Sequence, residues 1–544
     1  MRRIQFLKGS SIRVTVVILL LLSIGLLRID TYGISTDEGL EIAMVTWNYR
    51  LIADSLPIPG DLEHYGTVFN FSAQFLYDIK YFIENVTNVS GSVRADGKPW
   101  ISYDLIRFKH YVTFILSMVT YIAVAGIVGR LIGRRYAWLG PIALFFLPRF
   151  WGHSFFNPKD IPFAAMFTLG TYMGGCLIER LTKLGDPDID RDRIYLLSIL
   201  YGVLVGLVTG VRIAGLFLLG FVVVSHFIAQ VRLSMVVRGV QQFIGRFIKP
   251  YALMVATWSL TTTLVHPAAW SNPVVWMLDT LAYMSSHEWS GTVLFSGAFI
   301  KATDLPWTYL PKWFLITTPI FMQIAVVLGI AFCITHYKKM YESQKALLIL
   351  VLMQIFFFPT VAIVKQSTVY DGIRQFLFIV PAVAVLGTLG VVWIYKILPG
   401  RFVPLLFAMF VVAAISPTMV DMVQLNPYEY IYFNRAFGGL ASAQNQFETD
   451  YWGLSMRAGM EWINEVSGGE ANVVSSDQLV SSALFAEDNV RVISYGDFVA
   501  NGMEKPFYYV AAPRWDYQEP FPECSVEYAV LRQSTPLTIV KQCD

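Results

Sequence analysis

The sequence predicts an all-α protein that crosses a membrane about eleven times and ends in a small α/β domain. Of its 544 residues, 55% are hydrophobic and only 15% are charged, and the mean hydropathy is +0.53. Soluble domains carry roughly 25% charged residues. Apolar runs of about 18 residues recur from one end of the chain to the other, which is typical of membrane helices and not of one large core.

Charged residues, Pro and Gly separate the apolar runs, and eleven membrane spans fit this pattern. Arg13 is the last of four basic residues before the first run, and no A-x-A-like cleavage site follows that run. We therefore interpret the first run as a retained helix and not as a signal peptide. The predicted spans lie near residues 14–31, 111–129, 136–149, 161–178, 194–211, 213–231, 251–266, 313–335, 346–364, 374–394 and 402–420.

The connections between these spans differ in length and charge on the two sides of the membrane. Those on the side of the N-terminus are short and rich in Lys and Arg, which predicts a cytoplasmic N-terminus and a non-cytoplasmic C-terminus. The non-cytoplasmic face then carries the long loops 30–110 and 267–312 and the tail. Strand-like runs alternate with one helical stretch in the tail. We therefore predict a membrane module over 1–420 and an extracytoplasmic α/β domain over 421–544.

Charge, cysteine pattern and missing motifs exclude several classes of function. A net charge of +2 is too balanced to indicate nucleic acid as a partner. No Walker motif, GxSxG motif or dinucleotide fingerprint is present, which argues against nucleotide-driven chemistry. The cysteines show no metal-ligand spacing. Cys524 and Cys543 both lie in the tail, and a disulfide between them is compatible with export.

The first candidate for chemistry is the adjacent pair Asp37 and Glu38, just beyond the outer end of the first span. Carboxylates at a membrane surface are costly unless they are solvated, paired or used. The pair can cap the helix that begins nearby. Alternatively, a carboxylate there can accept a proton from an incoming hydroxyl group.

The second candidate is a short outer loop that brings His153, Lys159 and Asp160 to the membrane surface together. Asp160 can cap the following helix, because Pro162 stands in the first turn of that helix. The loop is also rich in aromatic residues. One carboxylate and two potential cations among aromatic side chains suit a lipid that ends in a phosphate.

The third candidate is the outer loop from Lys365 to Arg374, which leads into the tenth span and contains Tyr370. Basic residues are disfavoured on this face, and snorkelling to lipid headgroups is the simple explanation for Lys365. The planar guanidinium of Arg374 can instead hold a phosphate. Arg212, in the tight outer turn between the fifth and sixth spans, is a second phosphate contact or another snorkelling residue.

The candidate residues above give the membrane portion of the chain, roughly 14–420, a pattern that resembles the glycosyltransferase-C superfamily. The similar group contains protein O-mannosyltransferases and bacterial lipid A aminoarabinose transferases. The resemblance rests on Asp37–Glu38 in a long first outer loop, on Asp160 before the fourth span, and on Arg374 followed seven residues later by Pro381. The sequence departs from the eukaryotic mannosyltransferases because no sugar-binding repeat domain is recognisable in a central loop.

The resemblance implies a glycosyltransferase-C-like fold, a polyprenyl-phosphate sugar as donor and an inverting displacement at the anomeric carbon. Asp37 is then the expected general base, Glu38 a supporting acid and Asp160 a second acidic site residue. The expected phosphate contacts are Arg374 with Lys159, Lys365 or Arg212. His153, Tyr370 and His64 are the expected substrate contacts.

The resemblance predicts no certain cofactor; a divalent metal, which some relatives use, is left open. The expected partners are the polyprenyl-phosphate sugar, membrane lipid and a glycan, lipid or protein acceptor. Two other functions fit the same pattern: a transporter or flippase of lipid-linked sugars, and a non-catalytic envelope assembly protein. Transporters place ionisable groups within the membrane, whereas here the acids cluster at one face. Short cytoplasmic connections favour a bacterial inner membrane.

Overall fold

The computed structural model describes residues 2–84, 101–184, 186, 188–230, 236–286, 289–400, 403–476 and 479–544. It confirms the predicted fold class, a helical membrane module followed by a small sheet domain. The helices of the first half are α1 (Arg2–Leu26), α2 (Thr36–Asp54), α3 (Val68–Glu84), α4 (Tyr103–Ile132), α5 (Leu139–Phe145), α6 (Pro148–His153), α7 (Asp160–Leu181), α8 (Arg191–Val211), α9 (Phe217–Gln230), α10 (Val236–Val265) and α11 (Pro273–Ser286).

The second half adds further helices and all of the strands. Its helices are α12 (Tyr309–Thr317), α13 (Ile320–His336), α14 (Glu342–Lys365), α15 (Val380–Ile397), α16 (Val403–Leu425), α17 (Gly439–Ala443), α18 (Met456–Ser467), α19 (Leu479–Phe485) and α20 (Tyr495–Asn501). Its strands are β1 (Thr292–Phe295), β2 (Ala298–Lys301), β3 (Glu470–Ser475), β4 (Asn489–Ser494), β5 (Phe507–Ala511), β6 (Ser525–Arg532) and β7 (Thr535–Cys543).

Within the described residues, nine helices are long and apolar enough to cross a membrane, fewer than the eleven predicted spans. Each of the nine coincides with a predicted span. They are Ser11–Thr31, Tyr103–Ile132, Asp160–Leu181, Arg191–Val211, Ile213–Gln230, Ile320–Lys339, Glu342–Lys365, Arg374–Ile397 and Pro404–Leu425.

The predicted span 136–149 is not one helix, because the chain breaks between α5 and α6. Pro148 begins α6, and Leu147 before it leaves the helical region with φ −106° and ψ 88°. A residue that precedes proline is sterically driven out of the helical conformation. The prediction of a continuous span was therefore wrong, although α5, α6 and the break together still carry the chain from Arg134 to the outer loop at His153.

The predicted span 251–266 is the second half of α10, which packs along α8. Gly202, Gly206 and Gly210 of α8 stand four residues apart, and a side chain at any of them would collide with α10. Such a stripe of small residues lets two membrane helices approach closely. Their partners on α10 run from Met254 through Thr261 to Val265 in the same order, so the two helices are parallel.

The five strands of the tail form one mixed sheet in the order β4-β3-β5-β7-β6. β3 pairs in parallel with β4 and β5, whereas β7 pairs antiparallel with β5 and β6. Met456, Met460 and Ile463 of α18 cover one face of this sheet. A disulfide joins Cys524, which precedes β6, to Cys543 at the end of β7. The cysteine pair singled out in the sequence is thus the pair that is bonded.

The segment between α16 and α18 docks the sheet domain onto the outer end of the membrane module. Glu429, buried in this segment, accepts a hydrogen bond of 2.7 Å from the hydroxyl of Tyr32, which lies just beyond α1. Leu454 O approaches Gly33 so closely that no side chain fits at position 33. Arg457 of α18 donates to Tyr32 O at 3.1 Å. The domain is consequently fixed beside the residues that lead into α2.

Candidate active site

A cavity of about 580 Å³ opens between the sheet domain and the ends of the membrane helices on which this domain docks. Its lining comes from six parts of the chain: the loop 30–110, the turn before α7, the turn after α8, the loop 267–312, the loop before α15, and the tail. The charged and aromatic residues that line it are Asp37, Asp61, His64, Tyr65, Lys159, Arg212, Trp289, Tyr370, Asp371, Arg374, Trp452, Arg514 and Trp515.

The N-terminus of α2 separates the two adjacent carboxylates of the sequence. Glu38 turns back to Ser35, whose backbone N–H and hydroxyl donate to Glu38 Oε1 at 2.7 and 3.1 Å. This is a capping box, so Glu38 fulfils the capping alternative. Asp37 lines the cavity, and its side chain is 32% exposed. Of the pair, Asp37 is therefore the carboxylate that a substrate can reach.

A second row of charges lies behind Asp37 and anchors α2. Glu38 Oε2 is 2.8 Å from His110 Nε2 of α4. Glu41, one turn further along α2, is 1% exposed and accepts hydrogen bonds of 2.9 Å from Lys159 Nζ and 2.5 Å from Asn70 Nδ2. Buried charges are tolerated when they are paired in this way. Sequence reasoning missed Glu41, because a single acid inside an amphipathic helix carries no distinguishing pattern.

Arg374 joins three carboxylates at the edge of the cavity. Its Nη1 atom is 2.9 Å from Asp37 Oδ2 and 3.8 Å from Asp160 Oδ2, and its Nε atom is 2.8 Å from Asp371 Oδ2. The guanidinium carbon also lies 4.9 and 4.8 Å from the ring centroids of Tyr370 and Trp452. Arg374 is thereby held in place on all sides, with its side chain only 7% exposed.

Asp160 lies behind the cavity wall and not in its lining. It contacts Arg212 Nη2 and accepts a hydrogen bond of 3.0 Å from Asn157 Nδ2. The predicted capping role belongs to Asn157, because Asn157 Oδ1 accepts from the backbone N–H of Asp160 at 2.9 Å. Asp160 thus holds Arg212 and Arg374 in place. Because its carboxylate is only 3% exposed, a substrate cannot reach it.

Two of the predicted phosphate contacts, Lys159 and Arg212, line the cavity with side chains 15% and 23% exposed. Burial alone would lower the pKa of Lys159, but the carboxylate of Glu41 raises it above its ordinary value. Lys159 therefore keeps its charge at neutral pH. Lys365, at the end of α14, is exposed and stands outside the cavity lining, so it does not join this group.

The predicted substrate contacts fall into two groups. Tyr370 and His64 line the cavity; Tyr370 stacks on Trp289 at 4.5 Å, and His64 Nδ1 is 2.9 Å from Thr280 Oγ1. His153, in contrast, is buried outside the cavity lining, and its Nε2 atom is 3.1 Å from the hydroxyl oxygen of Tyr451. Burial lowers the pKa of His153 well below its usual range, and Arg149 and Arg374 lower it further. His153 is therefore a neutral supporting residue in this structure.

The tail contributes residues that sequence reasoning did not single out. Trp452, Arg514 and Trp515 all line the cavity. Arg514 Nη2 is 2.9 Å from Asp371 Oδ1, and its Nη1 atom donates to Tyr451 O at 2.7 Å. Asp371 consequently sits between Arg374 of the membrane module and Arg514 of the sheet domain. We call the cluster of Trp289, Tyr370, Trp452 and Trp515 the aromatic wall.

A divalent metal does not fit the carboxylates in this arrangement. Among the described residues, no group of three or more His, Cys, Asp and Glu side chains is placed to hold a metal ion. Asp37, Asp160 and Asp371 all face the guanidinium of Arg374. A guanidinium therefore occupies the position in which a metal would neutralise these acids.

Comparison with known proteins gives matches to solved structures alone: no family model and no curated protein matches the chain. The apo oligosaccharyltransferase of Archaeoglobus fulgidus is 11% identical, with a TM-score of 0.50 over 92% of this chain and 69% of that one. The oligosaccharyltransferase AglB from the same organism, in complex with an inhibitory peptide and a dolichol-phosphate, is 12% identical, with a TM-score of 0.48 over 93% of this chain and 69% of that one. ArnT from Cupriavidus metallidurans, bound to undecaprenyl phosphate, is 11% identical, with a TM-score of 0.46 over 98% of each chain. The chain has the glycosyltransferase-C fold.

Proposed function

We propose that this protein is an integral membrane glycosyltransferase that transfers a sugar from a polyprenyl-phosphate donor to an acceptor on the non-cytoplasmic face. One observation carries the proposal. At the membrane surface, a single cavity places the reachable carboxylate of Asp37 beside the cations Lys159, Arg212 and Arg374. This is the combination that displacement of a lipid phosphate by a hydroxyl group requires. The fold shared with the oligosaccharyltransferase of Archaeoglobus fulgidus supports glycosyl transfer in the membrane. AglB and ArnT are bound to a dolichol-phosphate and to undecaprenyl phosphate, which are members of the donor class proposed here.

The cations account for donor binding and for departure of the leaving group. Lys159 and Arg212 present partly exposed charges at the level where a lipid phosphate meets water. Negative charge on that phosphate increases as the bond to the sugar breaks, and preorganised cations stabilise this charge most in the transition state. Arg374 adds a third positive charge and fixes the position of Asp37.

Asp37 is the general base of the proposed reaction. Of the three carboxylates that contact Arg374, Asp37 is 32% exposed, whereas Asp160 and Asp371 are 3% and 2% exposed. The acceptor oxygen attacks the anomeric carbon, and its proton passes to Asp37. The bond from that carbon to the phosphate oxygen breaks, and the electron pair leaves with the polyprenyl phosphate. Attack opposite the leaving group inverts the anomeric centre.

The aromatic wall lines the same cavity and borders Arg374, whose guanidinium carbon lies 4.9 and 4.8 Å from the ring centroids of Tyr370 and Trp452. Flat apolar rings bind the apolar faces of a sugar, whereas Asp61 and His64 can bind its hydroxyl groups. Nothing in this lining selects one hexose or pentose over another. The acceptor is accordingly proposed only as a hydroxyl group of a glycan, a lipid or a protein.

The proposed topology places the N-terminus in the cytoplasm of a bacterial cell and the domain over 421–544 outside its inner membrane. The distribution of Lys and Arg supports this orientation. The Cys524–Cys543 disulfide supports it independently, because disulfides persist in oxidising compartments. Cysteines substituted at the exposed positions Asn501 and Lys339 test it. An impermeant thiol reagent should label the first in spheroplasts and the second only after permeabilisation, with the wild-type chain as the background.

The activity is tested with purified protein in proteoliposomes and a panel of radiolabelled polyprenyl-phosphate sugars. We expect labelled sugar to appear on an acceptor with stoichiometric release of polyprenyl phosphate. The same vesicles report on the transporter alternative. Movement of intact labelled donor across the bilayer without product would contradict the proposal and favour a flippase. Binding of the donor without either outcome would favour the assembly protein.

A further inference from the structure

An apolar groove with a basic mouth lies at the end of the membrane module opposite the candidate active site. A cavity of about 550 Å³ lies between α5, α15 and α16, and a second of about 160 Å³ continues it toward α13. The two share Leu139, Val391, Phe407 and Ile415 in their walls, so they form one groove. We call it the distal groove, because Tyr395 at its mouth is 21 residues, or roughly 30 Å of helix, beyond Arg374.

The distal groove exists because α16 stands away from the rest of the bundle. Only 17% of the most apolar window of Pro404–Leu425 is buried by protein, compared with 78% for Arg374–Ile397. The side chains of Phe407, Val411 and Ile415 line the groove. Atoms that line an empty space lose dispersion contacts. Inside a bilayer, a hydrocarbon chain supplies those contacts.

The mouth of the distal groove is basic. Arg13 and Arg135 line it, and Lys396 Nζ lies 4.8 Å from the ring centroid of Tyr136, which also lines it. Arg135 stacks on the same ring at 5.5 Å. Throughout the part of the chain that the structure describes, no carboxylate forms an ion pair with any of these three cations. By contrast, Arg130 in the neighbouring cavity is paired with Glu179.

From this geometry we infer that the distal groove binds an anionic phospholipid of the leaflet opposite the active site. Its acyl chain lies between α15 and α16, and its headgroup phosphate contacts Arg13, Arg135 and Lys396. Basic clusters between membrane helices are known to select anionic headgroups. Tyr136, Trp138 and Tyr395 around the mouth are the residue types that settle at the membrane–water boundary. The described residues that line the mouth include no carboxylate for sugar hydroxyls, which favours a phospholipid over a lipid-linked sugar.

The inference is tested by native mass spectrometry of the full-length protein with phosphatidylglycerol and with phosphatidylcholine of identical chains. Because each basic residue near an anionic lipid is worth about fivefold in affinity, we expect the wild type to prefer phosphatidylglycerol by roughly tenfold or more. Arg13→Ala, Arg135→Ala and Lys396→Ala should each weaken this preference several-fold. The triple variant should lose it. Lys339→Ala, which removes an exposed cation elsewhere on the same face, should retain it.

A groove-filling variant separates the groove from the cations. Ala408→Trp places a large side chain in the acyl path and leaves all three cations intact. We expect it to lose the tightly bound lipid while its elution volume and thermal midpoint stay those of the wild type. Equal binding of the two lipids, an unchanged preference in the single variants, or wild-type binding by Ala408→Trp would overturn the inference. So would displacement of phosphatidylglycerol by an equimolar polyprenyl phosphate.

Discussion

The membrane module and the sheet domain contribute differently to the candidate active site. The membrane module supplies charges that remain within reach of a substrate: Asp37, Lys159 and Arg212 are 32%, 15% and 23% exposed. The sheet domain supplies Arg514, which is 8% exposed and locked onto Asp371, together with aromatic rings. Bond-making groups thus come from the helix ends, whereas the tail supplies shape and rigidity.

This difference follows from where each region meets water. Helix ends at a membrane surface can present a charge to solvent on one side and to a lipid phosphate on the other. The tail covers the cavity, so Arg514 is buried there and is held by Asp371 and by the carbonyl oxygen of Tyr451. Substitutions in the first region should therefore change the chemical step or donor binding, whereas substitutions in the second should change positioning and stability.

The largest effect is expected for Asp37→Asn. The amide keeps the shape of the side chain but cannot accept the acceptor's proton, so turnover should fall by about 10²–10⁴-fold. Donor affinity should change much less, because the cations remain. Single-turnover kinetics with saturating labelled donor measure the loss directly.

Asp54→Asn is the matched control, since Asp54 lies exposed at the far end of the same helix. It should retain wild-type turnover. If Asp37→Asn turned over normally in protein of unchanged thermal midpoint, Asp37 would be an ion-pair partner of Arg374 and nothing more, and the base would have to be sought at Asp61.

The second effect concerns Arg374, which contacts Asp37 and is a proposed contact of the donor phosphate. A charge-assisted contact is worth about 1.5–3 kcal/mol, so Arg374→Ala should weaken donor use by roughly 10- to 150-fold. Arg374→Lys should recover only part of this loss, because one ammonium cannot meet Asp37 and Asp371 at the geometry of a planar fork. The measurement is the transfer rate as a function of donor concentration, at saturating acceptor, for the wild type and both variants.

Lys365→Ala is the companion variant for Arg374. Lys365 belongs to the same outer loop and was expected from the sequence to be an alternative phosphate contact, but it is exposed outside the cavity. Its removal should leave the donor curve unchanged. A donor shift with Lys365→Ala equal to that with Arg374→Ala would show that the phosphate lies elsewhere than the structure indicates.

The sequence predicted most of the charges contributed by the membrane module and none of those contributed by the tail. Asp37, Arg212 and Arg374 each lie next to the outer end of an apolar span, so counting spans is enough to bring them to one face. The contact between Asp371 and Arg514 joins positions 143 residues apart. It depends on how the sheet domain docks, and no periodicity or local motif encodes that.

The predictions about the fold divide in the same way: features set by local sequence could be predicted, and features set by tertiary packing could not. Nine spans could be read from hydropathy, because length and apolar composition are local properties. The interruption at Pro148 could also have been read locally, since proline disfavours helix at the residue before it. The parallel packing of α8 on α10 could not, although Gly202, Gly206 and Gly210 stand at the spacing that permits it.

A smaller effect is expected for Arg514→Ala in the sheet domain. Loss of its contact with Asp371 leaves that carboxylate with Arg374 alone and should shift Arg374 toward it and away from Asp37. We expect a several-fold decrease in turnover with little change in donor affinity. Arg514→Lys should restore part of the lost turnover. Arg491→Ala, an exposed arginine of the same sheet, is the control. A pure donor-affinity defect would instead make Arg514 a direct phosphate contact.

The smallest effect on activity, and the clearest test of rigidity in the tail, is expected for Glu448→Gln. Glu448 is 4% exposed, and within the described residues no side chain donates a hydrogen bond to either of its carboxyl oxygens. Burial raises the pKa of Glu448 to about 8, although Arg514 nearby opposes the shift. The folded protein therefore keeps this proton at neutral pH, whereas an unfolded chain would release it near its ordinary value of 4.5.

Between pH 4.5 and about 8 the folded state then binds more protons than the unfolded state, so the contribution of Glu448 to stability falls as pH rises. The slope is at most ~1.4 kcal/mol per pH unit, and it vanishes above the folded pKa. Glutamine mimics the protonated acid and does not titrate, so Glu448→Gln should gain stability over the wild type from pH 5 to pH 8. Thermal midpoints across this range measure the difference, and Glu504→Gln, at an exposed position, should track the wild type. Parallel curves for Glu448→Gln and wild type would mean that Glu448 is ionised and paired with Arg514, which would make the tail a third source of charge at the cavity.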